Sequence, residues 1–224
     1  MNERTTPPAA TLWLTGLSGA GKTTLAHAVS DALAAAGASC RILDGDLVRR
    51  ELSADLGFSR ADRSENVRRV ALKCRQLNEA GVWAIAALIS PYRDDRELAR
   101  RTVGQARFVE VYLATPLAVC ESRDPKGLYR QARSGAITNF TGISDPYDAP
   151  LDPELRFDTG VQSLADCVAG TMTWLLGERA IGVGAQEAAH DGRDAVRDAL
   201  RACDVPASEP RDVSPTGGEI HAVR

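Results

Sequence analysis

The residues best suited to chemistry stand together near the start of the chain. Gly16-Leu17-Ser18-Gly19-Ala20-Gly21-Lys22-Thr23-Thr24 is a Gly, four residues, then Gly-Lys-Thr, the spacing of a loop that cradles phosphates. Glycines let backbone N–H groups crowd around a polyphosphate, and a helix opening at the end of the loop adds positive potential. Lys22 would then reach the β- and γ-phosphates, and the Thr23 hydroxyl would hold Mg²⁺. A plain Gly-rich turn is the competing explanation, but the pattern is complete and its flanks agree with a ligand loop. An apolar, strand-like run (Thr11 to Thr15) precedes it, and a helical run (Thr24 to Ala36) follows. The stretch predicts a nucleoside triphosphate site.

A second group of candidates follows the next strand-like run, Cys40 to Leu43, which ends on Asp44-Gly45-Asp46. Acids there can hold Mg²⁺ through water or accept a proton from an acceptor hydroxyl. Capping the following helix is an equally good use for one of them, though a poor explanation for both. Arg49 lies one turn after Asp46, and Arg63 starts a long helix, so both can face an anionic acceptor. Arg68, Arg69 and Arg96 read as solvated helix faces. Phe58 lies in a polar connection, where its ring either stacks on a base or plugs the core beneath the loop.

These residues need elements to hold them. Leu25, Ala28, Val29, Ala32 and Leu33 repeat at helical spacing, and Val67, Val70, Ala71, Cys74 and Leu77 form one stripe of a helix from about Arg60 to Ala80, with Ser59 and Asp62 at its cap. Val82 to Ile89 is almost continuously apolar, as in a strand buried on both faces of a parallel sheet, and it ends on Ser90-Pro91-Tyr92-Arg93. A charged helix, the strand Phe108 to Leu113 and a short helix from Pro116 to about Arg123 come next. Residues 124–150 are rich in Gly, Pro and charge with little periodicity, which predicts a lid. The last core helix runs from Ser163 to Leu176. Alternating strands and helices predict an α/β fold, a mostly parallel central sheet covered by helices on both faces, with ligands at the carboxyl ends of the strands.

Domain boundaries follow from composition. Residues 1–10 are polar and Pro-containing and are expected to be disordered, 11–177 form the domain, and 178–224 form a low-complexity, largely disordered tail with a marginal helix at Ala188 to Cys203. The 224 residues carry 44% hydrophobic and 25% charged side chains with a net charge of -3, ordinary for a soluble globular protein and unfavourable for nucleic-acid binding. Cys40, Cys74, Cys120, Cys167 and Cys203 make no Cys-x-x-Cys pair, so neither a zinc framework nor a small disulfide scaffold is expected. No signal-peptide core or membrane-length apolar run is visible. A cytoplasmic protein without membrane or nucleic-acid partners is expected.

Over residues 11–176 the chain resembles the adenylylsulfate kinase (APS kinase) family. The segments that carry the likeness are GLSGAGKTT, LDGDLVR, LGFSRADRSENVRRV, ISPYRDDR, VEVYLATPLAVCESRDPKGLYRQAR and FTGISDPYDAP with PELRFDTG, in consistent order. The resemblance implies a P-loop kinase-type three-layer sandwich that uses ATP and Mg²⁺ to phosphorylate the ribose 3′-hydroxyl of adenosine 5′-phosphosulfate. By the family pattern, Asp44 and Asp46 serve Mg²⁺ and acceptor activation. Arg49, Arg63 and Asn66 hold the phosphosulfate and ribose. Phe58 and Phe140 clamp the acceptor adenine, Ile89 and Ser90 line its pocket, and Lys126 and Arg130 belong to the lid. The family has been described as having a phosphoserine at the position of Ser90; Ile89 and Pro91 beside it supply no base, so a pocket role is expected. A homodimer is implied, with ATP sulfurylase as a candidate partner. Leu47 replaces the Asn usual after the second Asp, and Leu88 a frequent Phe. A kinase of another small hydroxyl acceptor, or a catalytically weak regulatory homologue, is the competing reading. A GTPase-like switch lacks its Asn-Lys-x-Asp segment.

Overall fold

The structure is a computed structural model and describes residues 8–181. Five strands, β1 (Thr11–Thr15), β2 (Cys40–Asp44), β3 (Trp83–Ala87), β4 (Phe108–Leu113) and β5 (Leu155–Phe157), form one sheet in the order β2-β3-β1-β4-β5. Every pairing among them is parallel. Among the described residues seven α-helices surround it: α1 (Lys22–Ala35), α2 (Gly45–Glu51), α3 (Arg60–Glu79), α4 (Arg93–Val103), α5 (Leu117–Arg123), α6 (Leu128–Arg133) and α7 (Leu164–Ile181).

Strand alternation divides the core in two. On β1, Leu12 and Leu14 face the layer built by α1 and α7, where Leu25, Val29, Val168 and Met172 meet them. Trp13 faces the other layer, with Val67, Val70 and Cys74 of α3 and Ala99 and Val103 of α4. On β3 the residues facing α3 and α4 include Ala84 and Ala86, small enough to let Trp13 stack on Phe108 at 5.5 Å between ring centroids. The result is the expected three-layer sandwich, with central strands apolar on both faces.

Several boundaries differ from the sequence reading. β3 stops at Ala87, because Leu88 onward turns away to build the site. The lid segment contains α6, which the Gly- and charge-rich composition hid; the Asp124 carboxylate caps it by accepting from the Tyr129 and Arg130 N–H groups. α7 continues to Ile181, past the expected end at Leu176. The marginal helix expected at Ala188 to Cys203 lies outside the described residues. β5 is only three residues long, with the exposed Arg156 at its centre, too short for periodicity to reveal it. The capping box at α3 is as expected: Ser59 accepts from the Asp62 N–H, and the Asp62 carboxylate accepts from the Ser59 N–H.

Candidate active site

β1 delivers the chain into the phosphate loop, and the glycines are there for two separate reasons. Gly16 runs so close to β4 that a Cβ would lie 2.7 Å from the Leu113 carbonyl oxygen. Gly19 has φ +75°, and a Cβ there would meet the Cys120 carbonyl at 2.9 Å. Any larger residue would push the loop off its support.

That support comes from side chains the sequence did not single out. Thr159 donates to the Ala20 carbonyl at 3.0 Å and shares a hydroxyl contact with Thr115 at 2.9 Å. Arg123 donates to the Gly19 and Thr159 carbonyls at 3.2 and 2.6 Å, and the Tyr129 hydroxyl donates to the Ser18 carbonyl at 2.9 Å. The loop is thereby bracketed from α5, α6 and the turn after β5.

Lys22 folds back over the loop, and its ammonium donates to the carbonyls of Gly16 and Leu17 at 3.0 and 2.8 Å. Burial lowers its pKa to about 8, opposed by the nearby Cys120 and Asp44. One residue on, the Thr23 hydroxyl donates to an Asp44 carboxylate oxygen at 2.6 Å. The other Asp44 oxygen caps α2 by accepting from the Asp46 N–H at 3.0 Å. Asp44 therefore caps the start of α2, and its other carboxylate oxygen faces the phosphate loop through Thr23. Asp46 is exposed and ion-paired with Lys126 from the lid.

The acceptor candidates gather on the neighbouring side. Arg49 donates to the carbonyls of Leu56 and Gly57 at 3.2 and 2.6 Å, with its guanidinium 4.6 Å from the Phe58 ring centroid. Phe58 itself is 69% exposed, which removes the core-plug alternative and leaves the ring free for a ligand. Arg63 donates to the Phe58 carbonyl at 2.9 Å, to the Thr141 hydroxyl at 2.6 Å and to the Asn139 carbonyl. Burial and the adjacent Arg63 lower the pKa of Arg49, opposed by Asp62, and Arg63 itself lies 3.9 Å from Asp145. Asn66 is buried, and its side-chain oxygen has no hydrogen-bond partner. Phe140 is buried edge-on against Tyr129 at 5.0 Å, at the base of the lid rather than on an open surface. Arg130 is exposed on α6, and Ile89 is half-buried and uses its carbonyl to accept from the Thr15 hydroxyl at 2.7 Å.

Ser90 stands three residues past the end of β3 with φ +39°. Its hydroxyl oxygen accepts from the Trp13 indole N–H at 3.1 Å, and no carboxylate or imidazole is among its hydrogen-bond partners. Arg96 corrects the sequence reading most sharply. Its side chain is 3% exposed and paired with Glu110 at 2.8 Å, not solvated. Arg69 is also drawn in, bridging Asp55 at 2.6 Å and Glu65 at 2.9 Å, whereas Arg68 pairs with Glu65 in the open.

The site thus joins a phosphate loop to an acid at the end of the edge strand β2, across β3 from β1, and to two neighbouring arginines. A family model, adenylylsulphate kinase, matches residues 8–158. The chain belongs to the adenylylsulphate kinase family. It is accordingly an α/β kinase of the P-loop type, a phosphotransferase. An adenylyl-sulfate kinase of Geotalea daltonii is 51% identical over 164 residues, 73% of this chain and 81% of that protein. Among solved structures, the APS kinase of Mycobacterium tuberculosis in complex with AMPPNP and APS is 44% identical, with a TM-score of 0.73 over 76% of this chain and 99% of that one. A hexameric APS kinase from Thiobacillus denitrificans is 33% identical with a TM-score of 0.59, covering 77% of this chain and 30% of that longer one. No helix among the described residues is long and apolar enough to cross a membrane.

Proposed function

We propose that the chain is an adenylyl-sulfate kinase that transfers the γ-phosphate of ATP to the 3′-hydroxyl of adenosine 5′-phosphosulfate. The products are 3′-phosphoadenosine 5′-phosphosulfate and ADP. The observation that carries the geometry is the 2.6 Å contact between Thr23 and Asp44, which joins the phosphate loop to the end of the edge strand β2. Donor and acceptor sites then meet at one point, as in-line transfer requires.

In this reading Lys22 exchanges its two carbonyl partners for β- and γ-phosphate oxygens, and the loop N–H groups from Gly16 to Thr24 hold the polyphosphate. Thr23 and Asp44 are hard oxygen donors side by side, which suits Mg²⁺, an ion that takes few protein ligands and leaves the rest to water and phosphate. No cluster of three or more His, Cys, Asp or Glu among the described residues offers an all-protein cage. Mg²⁺ bound there would neutralise charge on the transferring phosphate oxygens. Asp46, released from Lys126, accepts the proton of the acceptor hydroxyl. Arg49 and Arg63 trade backbone carbonyls for phosphosulfate oxygens, and the free Asn66 oxygen accepts from the acceptor. Phe58 stacks on its adenine, and Ile89, Ser90 and Phe140 complete the pocket. Lys126 and Arg130 of the lid close over both nucleotides.

The test is incubation of purified protein with ATP, Mg²⁺ and adenylyl sulfate, following both products. Formation of ADP and the 3′-phosphorylated nucleotide in equal amounts is expected; ADP release that ignores adenylyl sulfate would refute the reading. We further propose a homodimer in the cytoplasm, with the sulfurylase that makes the acceptor as a candidate partner. Light scattering and co-purification check these two assemblies.

A further inference from the structure

The end of the lid is fastened to the wall of the acceptor pocket, and one buried side chain ties the knot. Residues 145–149 return from the lid and lie along the turn after β3. The Asp148 N–H donates to the Pro91 carbonyl at 2.8 Å, the Tyr92 hydroxyl donates to Asp145 at 2.8 Å, and the Tyr147 and Thr15 hydroxyls share a contact at 2.9 Å. Arg96 spans the junction. Its NH1 donates to the Ser90 carbonyl at 2.8 Å, its NH2 to the Asp148 carbonyl at 2.6 Å, and its Nε to Glu110 at 2.8 Å.

Those three bonds engage all three guanidinium nitrogens, in three directions. Glu110 comes from β4 and is itself flanked by Arg100 at 3.6 Å, so the fork is oriented from the rigid sheet. Ser90 needs such a clamp. A serine at φ +39° occupies strained backbone space that persists only where the surroundings enforce it. The Asp148 carbonyl shares that fork, so one side chain joins the Ser90 turn to the returning end of the lid.

We propose that Arg96 is a positioning residue for the acceptor: it holds the Ser90 turn and the returning end of the lid in one register, without touching either nucleotide. The proposal rests on the acceptor pocket being where the adenylyl-sulfate kinase reading puts it. Loss of the fork should therefore disturb the acceptor more than ATP, whose loop touches the junction through Thr15 but is also bracketed by Thr159, Arg123 and Tyr129.

Arg96→Lys keeps a charge opposite Glu110 but can reach only one of the two carbonyls, so it is the variant least apt to unfold; Arg96→Met removes all three bonds. For Arg96→Lys we expect KM for adenylyl sulfate to rise about tenfold and binding of an ATP analogue, titrated alone, to change less than about twofold. Hydrogen exchange at the Asp148 amide should quicken in the same variant. Equal losses for both nucleotides, no change in either, or an Arg96→Lys protein that does not fold would each overturn the proposal and make Arg96 a stability residue only. If the wild type does not phosphorylate adenylyl sulfate, the functional reading falls. The exchange rate at Asp148 and the ATP-analogue titration then still report whether Arg96 couples the lid to the turn.

Discussion

Lys126 of the lid forms an ion pair with Asp46 at the start of α2, so the acid proposed as proton acceptor is held by the lid that must cover it. Both side chains are more than half exposed, at 54% and 66%, and such pairs contribute at most about 1 kcal/mol. The contact is therefore easily exchanged for a ligand. Replacing Lys126 with Met should leave the melting temperature within a few degrees. It should also speed hydrogen exchange across residues 124–144 in the free protein, and slow turnover once nucleotide is bound, because the lid loses a cation that faces phosphate. Unchanged exchange would mean that the pair does not hold the lid.

Lys22→Ala should cost about a thousandfold or more in rate, as expected for removing a charge aimed at transferring phosphoryl oxygens. The fold should survive, since the partners of Lys22 are two carbonyls of its own loop. Circular dichroism alongside the rate separates the two effects. A variant retaining a tenth of the wild-type rate would remove Lys22 from the chemistry.

The lowered pKa of Lys22, about 8 against an ordinary 10.5, has two consequences with definite signs. Between about pH 8 and 10.5 the unfolded chain holds this proton more often than the folded one, so the Lys22 contribution favours folding increasingly as pH rises through that window. Below about 8 the buried charge is retained and its penalty is fully present. Phosphate oxygens around the amine should push the pKa back up, so nucleotide binding near pH 8 should take up protons. Calorimetry in buffers of different ionisation enthalpy reads that uptake, and Lys22→Met should abolish it.

Arg63→Ala and Phe58→Ala should weaken adenylyl sulfate more than ATP. Arg63 also fastens the start of α3 to the lid through Thr141 and Asn139, so its loss should loosen the lid as well, whereas the exposed Phe58 ring should leave the lid unaffected. Separate titrations with each nucleotide check the first statement, and proteolysis within residues 134–145 checks the second.

Local patterns made much of this site legible. The phosphate loop, the two aspartates after β2, the α3 capping box and the apolar runs of β3 and β4 all depend on residues close in sequence. What stayed hidden depends on distant partners. Arg96 sits in a charged helix and looks solvated until Glu110, fourteen residues on, is placed opposite it. Thr159 and Arg123 lie inside segments that carry the family likeness, but only the folded chain brings them beneath Gly19 and Ala20. β5 has no periodicity to read; its place is fixed by pairing with Val111 to Leu113.

Ser90→Ala should retain turnover within about tenfold of the wild type while lowering stability. The hydroxyl oxygen already accepts from the Trp13 indole, which draws electron density from it, and among the described residues no carboxylate or imidazole hydrogen-bonds to it. A covalent route needs the reverse, an oxygen activated by an adjacent base. Removing the hydroxyl leaves the buried indole N–H without this acceptor, a loss of about 1–3 kcal/mol. Ser90→Gly separates the two properties of the site, because glycine tolerates φ +39° better than any side chain while still lacking the hydroxyl. It should recover part of the stability lost in Ser90→Ala and show the same turnover. If both variants bind the two nucleotides normally but do not turn over, and the wild type forms a phosphoserine that decays as fast as product appears, direct transfer is wrong and Ser90 is the nucleophile.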